Sequence, residues 1–243
     1  MRKRRLVLKF SGEEIAGPEG KLIDYAVLRR MCTEVADAVR EGNLEVAIVN
    51  GGGNMVRGKD AAANGVDPVA ADYMGMTATL INSLAIQSIM EQILGEESTR
   101  VMSALEIKPV SEMYIHRRAK RHLEKGRIVI FACGSGNPFF TTDTAAALRA
   151  KEIGADMLLK GTRAPGICAR DPNKFPDEKP FPRLTIEECI AKRYKVMDQT
   201  AFTLCRENKI PLRVFSITRP GNIRKALLGE DIGTLVTDEP QAA

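Results

Sequence analysis

The chain has 243 residues, of which 44% are hydrophobic, and this length allows one or two domains with a sizeable core. No stretch approaches the ~20 apolar residues of a membrane helix, and the apolar run Leu6-Val7-Leu8 is too short for a signal peptide. We therefore expect a cytoplasmic protein, and its net charge of +5 favours an anionic partner such as a nucleotide or a nucleic acid.

Short apolar segments alternate with amphipathic segments along the whole chain. The first strand is predicted from Arg4 to Phe10, and the first helix follows an Asp24 N-cap and ends at Gly42. The later predictions are strands at 46–49, 101–102, 127–131, 156–160, 212–215 and 233–236, helices at 72–94, 112–125, 143–153 and 222–228, short helices capped by Thr185 and Asp198, and a loop or hairpin at 161–182. This alternation predicts an α/β fold with a mainly parallel sheet that is covered by helices on both faces.

The cysteines and histidines give no sign of a metal centre. Five cysteines are an odd number without a C-x-x-C pair, so we expect reduced thiols rather than a disulfide framework or a zinc site. His116 and His122 do not share a helix face, and we interpret both as surface residues.

The first of three glycine-containing turns follows the first strand, at Lys9-Phe10-Ser11-Gly12. A lysine at a strand end can reach bridging phosphate oxygens while backbone N–H groups of the turn approach the same phosphates. On its own, a lysine here is more often a solvated surface residue, so the motif needs support from the rest of the chain.

The second turn is Asn50-Gly51-Gly52-Gly53-Asn54, followed by Arg57 and Gly58. Three consecutive glycines expose backbone donors and reach backbone angles that other residues avoid, which suits a phosphate site. A flexible turn is the alternative, and Arg57 argues against it because a guanidinium matches the geometry of phosphate.

The third turn lies between a buried strand and a helix, from Gly134 to Asp143. Thr141 and Thr142 can donate to a phosphate whose charge the helix dipole favours. Asp143 is either a plain N-cap or a carboxylate that orients lysines by ion pairing. Because ligands of open parallel sheets bind at the carboxyl ends of the strands, we expect the three turns to face one crevice.

Common phosphate-binding signatures are absent from the sequence. It contains neither the pattern G-x-x-x-x-G-K-[ST] nor a G-x-G-x-x-G after the first strand, and the protein-kinase signature set is missing as well. A phosphate-handling enzyme without these motifs requires a different scaffold.

Taken together, the motifs resemble those of the bacterial UMP kinases, within the amino-acid-kinase family, over nearly the whole chain. The glycine triplet by itself fits acetylglutamate kinase or aspartokinase equally well. The segments that carry the resemblance are Lys9-Phe10-Ser11-Gly12-Glu13, Gly51-Gly52-Gly53-Asn54, Arg57-Gly58, Asp72-Tyr73-Met74-Gly75-Met76, the third turn, Lys160-Gly161-Thr162, Asp171-Pro172 and Lys195-Val196-Met197-Asp198.

The resemblance implies an αβα three-layer sandwich that transfers the γ-phosphate of ATP·Mg²⁺ to UMP, giving UDP. It implies a single domain over residues 1–243, with an acceptor-binding half at about 1–155 and an ATP-binding half at about 156–243. A homohexamer with GTP activation and UTP inhibition is implied as well, with Mg²⁺ bound through the nucleotide phosphates rather than by protein ligands.

The same resemblance assigns the site residues. Lys9, Asp143 and Lys160 are the expected catalytic residues: the lysines flank the transferred phosphoryl group and Asp143 holds them. The expected ATP-binding residues are Lys9, Phe10, Ser11, Gly12, Gly53, Arg57, Thr162, Cys168 and Asp171. The expected UMP-binding residues are Gly52, Asp72, Gly134, Ser135, Gly136, Asn137, Pro138, Phe139, Phe140 and Thr141, with Asp72 on the ribose hydroxyls.

Several positions depart from the family pattern, and one of them is Ala71, where the family commonly has glycine. Cys168 replaces the aromatic residue expected beside adenine, and Pro165 replaces an acidic residue of the same stretch. The segment usually read as G-F-G-I-D in the GTP-effector region is Gly20-Lys21-Leu22-Ile23-Asp24 here.

Two other functions remain open at the level of the sequence. One is a kinase of the same fold that phosphorylates a carboxylate, although Asp72 suits ribose hydroxyls better than a carboxylate. The other is a nucleotide- or DNA-binding regulator that uses the basic segment 117–127. The three phosphate turns argue against such binding as the sole role, so we regard a nucleic-acid partner as the weaker prediction.

Overall fold

The computed structural model describes residues 2–170, 172, 174–175 and 177–238. Within these residues the chain forms one sheet of nine strands. The strands are β1 (Arg4–Phe10), β2 (Leu44–Asn50), β3 (Thr99–Ser103), β4 (Glu112–Met113), β5 (Ile128–Ala132), β6 (Met157–Thr162), β7 (Arg183–Thr185), β8 (Leu212–Ser216) and β9 (Thr234–Thr237).

Helices connect most of these strands. They are α1 (Gly12–Ile15), α2 (Tyr25–Glu41), α3 (Gly58–Ala63), α4 (Pro68–Leu94), α5 (His116–Glu124), α6 (Thr142–Ile153), α7 (Ile186–Ala191), α8 (Gln199–Glu207) and α9 (Asn222–Leu228). The strand order is β4-β3-β5-β2-β1-β6-β8-β9-β7, and only the β8–β9 pair is antiparallel among the described strands. The prediction of a mainly parallel sheet is therefore confirmed.

Two hydrophobic cores lie on opposite faces of the sheet. Leu6 and Leu8 of β1 belong to the core formed with α2, α4 and α9, whereas Val7 belongs to the core formed with α5, α6, α7 and α8. Side chains of a strand alternate between faces, and a strand with both faces covered is apolar throughout. The predicted three-layer αβα sandwich is thus confirmed.

Two predicted helix starts were wrong. The helix predicted from residue 72 begins at Pro68, where Asp67 caps it by accepting from Ala70 N at 2.9 Å and the ring presets the first helical φ angle. The helix predicted from residue 112 begins at His116, because residues 112–113 pair with Met102 and Ser103 as an edge strand.

Further details of the sequence interpretation also needed correction. The strand β7 and the short helices α1 and α3 were not predicted. His122 is buried, although it was predicted to be a surface residue. Its Nε2 lies 3.2 Å from Glu112 Oε2. All five cysteines are buried free thiols. No helix among the described residues is both long enough and apolar enough to cross a membrane.

Candidate active site

The candidate site lies at the carboxyl ends of four adjacent strands in the middle of the sheet. The strands β5, β2, β1 and β6 are neighbours in that order. Because they are parallel, the turns that follow β1, β2 and β5 are at the same edge, as the sequence predicts. Lys9 of β1 is directly opposite Lys160 of β6 in the strand register.

Both lysines contact the carboxylate of Asp143. Lys9 Nζ lies 2.7 Å from Asp143 Oδ1, and Lys160 Nζ donates to the same oxygen. The two lysines are buried, with only 4% and 7% of their surface exposed. Buried ammonium groups need a charged partner, and Asp143 supplies it. The alternative that Asp143 is the N-cap was wrong, because Thr141 caps this helix.

The three charges shift each other's protonation. Burial would lower the pKa of Lys9, but the Asp143 carboxylate outweighs it and leaves that pKa above its ordinary value. Burial and the neighbouring Lys9 charge lower the pKa of Lys160 to about 8. Burial would raise the pKa of Asp143, whereas the two ammonium groups hold it below its ordinary value. At neutral pH these three side chains together therefore carry a net positive charge, although none of them lines the main cavity described below.

Helix α6 places Asp143 in this position. Thr141 is its N-cap, and its Oγ1 accepts from Asp143 N at 3.1 Å and from Thr144 N at 3.3 Å. Asp143 then lies in the first helical turn, where the helix dipole favours a carboxylate. Cap and dipole together fix the backbone from which the carboxylate reaches both lysines.

The glycine turn after β2 is held tightly against helix α4. Gly51 N donates to Phe10 O at 3.0 Å, and Asn82 of α4 donates to Gly51 O at 2.8 Å. A Cβ atom on Gly52 would lie 2.9 Å from Ala78 Cβ, so only glycine fits there without a shift. By contrast, a Cβ atom on Gly53 would have nothing within 4 Å, so this residue faces open space.

A cavity of about 290 Å³ lies above these turns and brings many of the predicted residues together. It is small for a complete nucleotide, but it is open to solvent on one side. The predicted site residues that line it are Ser11, Gly12, Gly52, Gly53, Arg57, Asp72, Gly134, Ser135, Asn137 and Phe140.

Two polar side chains at the cavity already have protein partners. Asp72 Oδ2 accepts from Phe139 N at 2.7 Å, which ties the loop after β5 to helix α4. Phe139 has a φ angle of +70° and is 75% exposed. Arg57 forms an ion pair of 2.6 Å with Glu13, across the mouth of the first turn.

Other predicted residues are placed away from the cavity wall. Phe10 packs its side chain in the hydrophobic core. Cys168 is buried, with its thiol 3.9 Å from Gly166 O, and Thr162 ends strand β6 beyond Lys160. Gly136, Pro138, Phe139 and Thr141 belong to the loop after β5 without lining the cavity. Asp171 lies outside the described residues.

Sequence reasoning missed two polar residues that organise the site. Asn82 is fully buried in α4 and donates to Gly51 O and Asn54 Oδ1. The sequence does contain a signal for Asn82, because an amide side chain in a largely apolar helix segment indicates a buried hydrogen-bonding role. Asp198, which contacts Thr141 and Thr144, was noted only as a helix cap and as the end of the segment Lys195-Val196-Met197-Asp198, and neither gave it a role in the site.

The described residues of the site do not form a protein cage for a metal ion. No group of three or more histidine, cysteine or acidic residues suited to a metal occurs in the described part of the chain, and both lysines occupy the Asp143 carboxylate. Mg²⁺ requires oxygen ligands and usually keeps several waters together with substrate phosphates. The residues present therefore fit a Mg²⁺ ion that enters with a polyphosphate.

Comparison with known proteins identifies the family of the chain. Residues 4–216 match the profile of the amino acid kinase family. The chain is 51% identical to the uridylate kinase of Methylococcus capsulatus over 233 residues, which cover 96% of each chain.

Two solved structures have the same fold over almost their whole length. The UMP kinase of Bacillus anthracis has a TM-score of 0.92 at 35% identity, covering 99% of this chain and 98% of the other. The UMP kinase of Ureaplasma parvum has a TM-score of 0.89 at 33% identity, covering 98% and 100%. With a profile match over most of its length, and with these relatives, the chain belongs to the amino acid kinase family.

Proposed function

We propose that this chain is an ATP-dependent UMP kinase, which transfers the γ-phosphoryl group of ATP to UMP and produces UDP and ADP. The observation that carries this proposal is the buried cluster of Lys9, Asp143 and Lys160 beside three glycine-containing turns. Its 51% identity to a uridylate kinase supports UMP as the acceptor rather than a carboxylate.

The proposed mechanism relies on charge rather than on covalent chemistry. Phosphoryl transfer depends mainly on positioning and on stabilising the charge of the transferred group. Lys9 and Lys160 flank that group and stabilise its equatorial oxygens, while Asp143 keeps both ammonium groups in place. No general base is needed, since the acceptor phosphate is already largely ionised near neutral pH.

The glycine turns complete the phosphate cradle in this proposal. Backbone N–H groups of Ser11, Gly12 and Gly53 donate to the ATP phosphates, and the Arg57 side chain binds the same phosphates. Bound Mg²⁺ supplies neutralisation of the β- and γ-phosphate charge. Only one guanidinium nitrogen of Arg57 contacts Glu13, and its other N–H groups are available to bind a phosphate.

The acceptor is proposed to bind in the main cavity. Gly52, Asp72 and the loop from Gly134 to Thr141 surround UMP, with the Asp72 carboxylate accepting from the ribose hydroxyls. The acceptor half then spans about residues 1–155, and the ATP half spans about 156–243, where Thr162, Cys168 and Asp171 hold the adenosine end.

We further propose a cytoplasmic homohexamer that responds to GTP and UTP. The family resemblance supports the assembly, and so do exposed apolar side chains along α4, namely Val69, Tyr73, Met74 and Ile81. The five free thiols fit a reducing compartment.

A panel of acceptors with ATP·Mg²⁺ tests the function directly. ADP formation is measured with UMP, CMP, AMP, aspartate and acetylglutamate as separate acceptors. We expect turnover with UMP to exceed that with every other acceptor. Preferred phosphorylation of either carboxylate, or no turnover with UMP, would contradict the proposal.

A further inference from the structure

One carboxylate outside the lysine cluster joins two helices. Asp198 is the N-cap of α8, and its Oδ1 accepts from Ala201 N at 2.8 Å. The same carboxylate accepts from the Thr144 hydroxyl, which lies 3.1 Å from each of its oxygens, and from the Thr141 hydroxyl. Thr144 is buried, so its hydroxyl depends on this partner.

Thr141 extends the influence of Asp198 to the start of α6. The Thr141 oxygen accepts from Asp143 N and Thr144 N, while its single proton goes to Asp198. The N-terminal ends of α6 and α8 both carry partial positive charge. One carboxylate therefore stabilises both helix ends and holds them together.

The position of this contact connects it to the reaction. Thr141 ends the loop that lines the main cavity, and Asp143 lies two residues further along. Asp198 and Asp143 also line a second cavity of about 360 Å³, together with Arg193, Lys195 and Gln199. Asp198 therefore contacts the start of the helix that carries Asp143 and shares a cavity with Asp143.

We propose that Asp198 is a positioning residue, which fixes the first turn of α6 and through it the Asp143 carboxylate relative to the two lysines. The inference rests on the proposed kinase function. Without Asp198, the first turn of α6 loses its anchor to α8, and the lysine cluster is held less firmly. A displacement of about 1 Å in a reacting geometry costs on the order of 10²-fold in rate.

Three variants separate this role from a simple loss of stability. Asp198→Ala should lower kcat by about 10²-fold while both KM values change much less. Asp198→Asn keeps a good cap for α8, so the melting temperature should recover. Its kcat should recover only partly, because the amide has one oxygen for two hydroxyl donors. Thr144→Val, which keeps the side-chain shape, should also lower kcat.

A matched control comes from another helix cap. Thr185 caps α7 through a reciprocal contact with Glu188, outside both cavities. Thr185→Ala should lower the melting temperature without lowering kcat. Equal kcat losses in this control and in Asp198→Ala would show a merely structural role and overturn the inference.

A second readout does not depend on turnover. Hydrogen exchange of the backbone amides at residues 142–145 should be faster in Asp198→Ala than in the wild type or in Thr185→Ala. Unchanged exchange there would overturn the inference even if kcat falls. A wild-type protein that is inactive with UMP would instead contradict the proposed function, and the exchange measurement would still decide whether Asp198 anchors α6.

Discussion

Two ammonium groups side by side in a protein interior repel each other and lose their hydration. Lys9 and Lys160 tolerate this because Asp143 binds both, but one carboxylate leaves an excess positive charge. Buried positive charge without a partner lowers the free energy of unfolding, and a bound anion offsets this cost. The cluster therefore suits the binding of a negatively charged ligand better than it suits folding.

Lys9→Ala tests this reasoning at the level of a single side chain. Removing the Lys9 ammonium should lower kcat by about 10²-fold or more, because charge stabilisation of the transition state is lost. The circular dichroism spectrum should remain native. Lys192→Ala, at an exposed position after α7, is the control and should retain full turnover. A Lys9→Ala enzyme with wild-type turnover would remove Lys9 from the mechanism.

The lowered pKa of Lys160 predicts an alkaline limit of activity. As the pH rises through about 8, the Lys160 side chain loses its proton and its positive charge in the free enzyme. The parameter kcat/KM, which reports on the free enzyme, should therefore fall above this pH. In kcat the fall should appear at higher pH, since bound phosphates favour the ammonium form.

Lys160→Arg provides the control for this titration, because a guanidinium stays charged throughout the range. Where the variant retains activity, its kcat/KM should lack the fall near pH 8. A wild-type profile that is flat between pH 7 and 10 would contradict the assignment of Lys160.

Individual residues differ in how far the sequence reveals them. Lys9 and Asp143 stand out in the sequence because each lies beside a glycine-containing turn, whereas Lys160 was assigned from the family resemblance; the pairing of β1 with β6 then places the two lysines opposite each other. Strand alternation puts the Phe10 side chain on the same face as Leu6 and Leu8, in the hydrophobic core. The Phe10 ring is therefore not available for a contact with ATP. Asp198 was not predictable as a partner of Thr141, since the two are 57 residues apart and meet only through the packing of α6 on α8.

At the scale of elements, the turn after β2 and helix α4 behave as one unit. Asn82 binds the turn, and Asn50 Nδ2 donates to Thr79 O on the same helix at 2.9 Å. Such buried polar contacts leave little room for error, because each unmade hydrogen bond costs about 1–3 kcal/mol. The glycine turn is therefore a rigid feature rather than a flexible one.

Two adjacent glycines give a direct test of that rigidity. Gly52→Ala places a methyl group against Ala78 and should cost about 1–3 kcal/mol through overpacking, so the melting temperature should fall by several degrees. Gly53→Ala faces open space and should leave the melting temperature unchanged. Thermal unfolding of both variants without ligand measures the difference. Equal melting temperatures would show that the turn is loosely packed.

Short elements are the part of the fold that the sequence did not predict. The strand β7 has three residues and pairs in parallel with β9, which lies 52 residues later in the register. The strand β4 has two residues beside β3. Neither is long enough for an alternating pattern, so tertiary pairing rather than local sequence determines them. Long buried strands such as β2 were predictable from apolar composition alone.

At the scale of the whole molecule, the exposed side chains of helix α4 predict how copies of the chain assemble. Helix α4 carries several large exposed apolar side chains, and Ile81 is 52% exposed. Such side chains are typical of an interaction surface. We expect sedimentation equilibrium to give six times the 26.7 kDa mass of one chain.

Ile81→Glu should lower the mass of that assembly, because a charge would become buried at the contact. Thr33→Glu, at an exposed position of α2, is the control and should retain the wild-type mass. An unchanged mass for Ile81→Glu would show that this side of α4 is not a subunit contact.

The direct pairing of β1 with β6 has a consequence for how substrates enter. Lys9 and Lys160 lie on strands that share a backbone ladder, at a spacing of about 4.8 Å. The chain has no hinge at this ladder. Rotating one part of the sheet away from the other would break the backbone hydrogen bonds between β1 and β6. We therefore expect any closure over bound substrates to come from the surrounding loops, while β1 and β6 keep the backbones of the two lysines side by side.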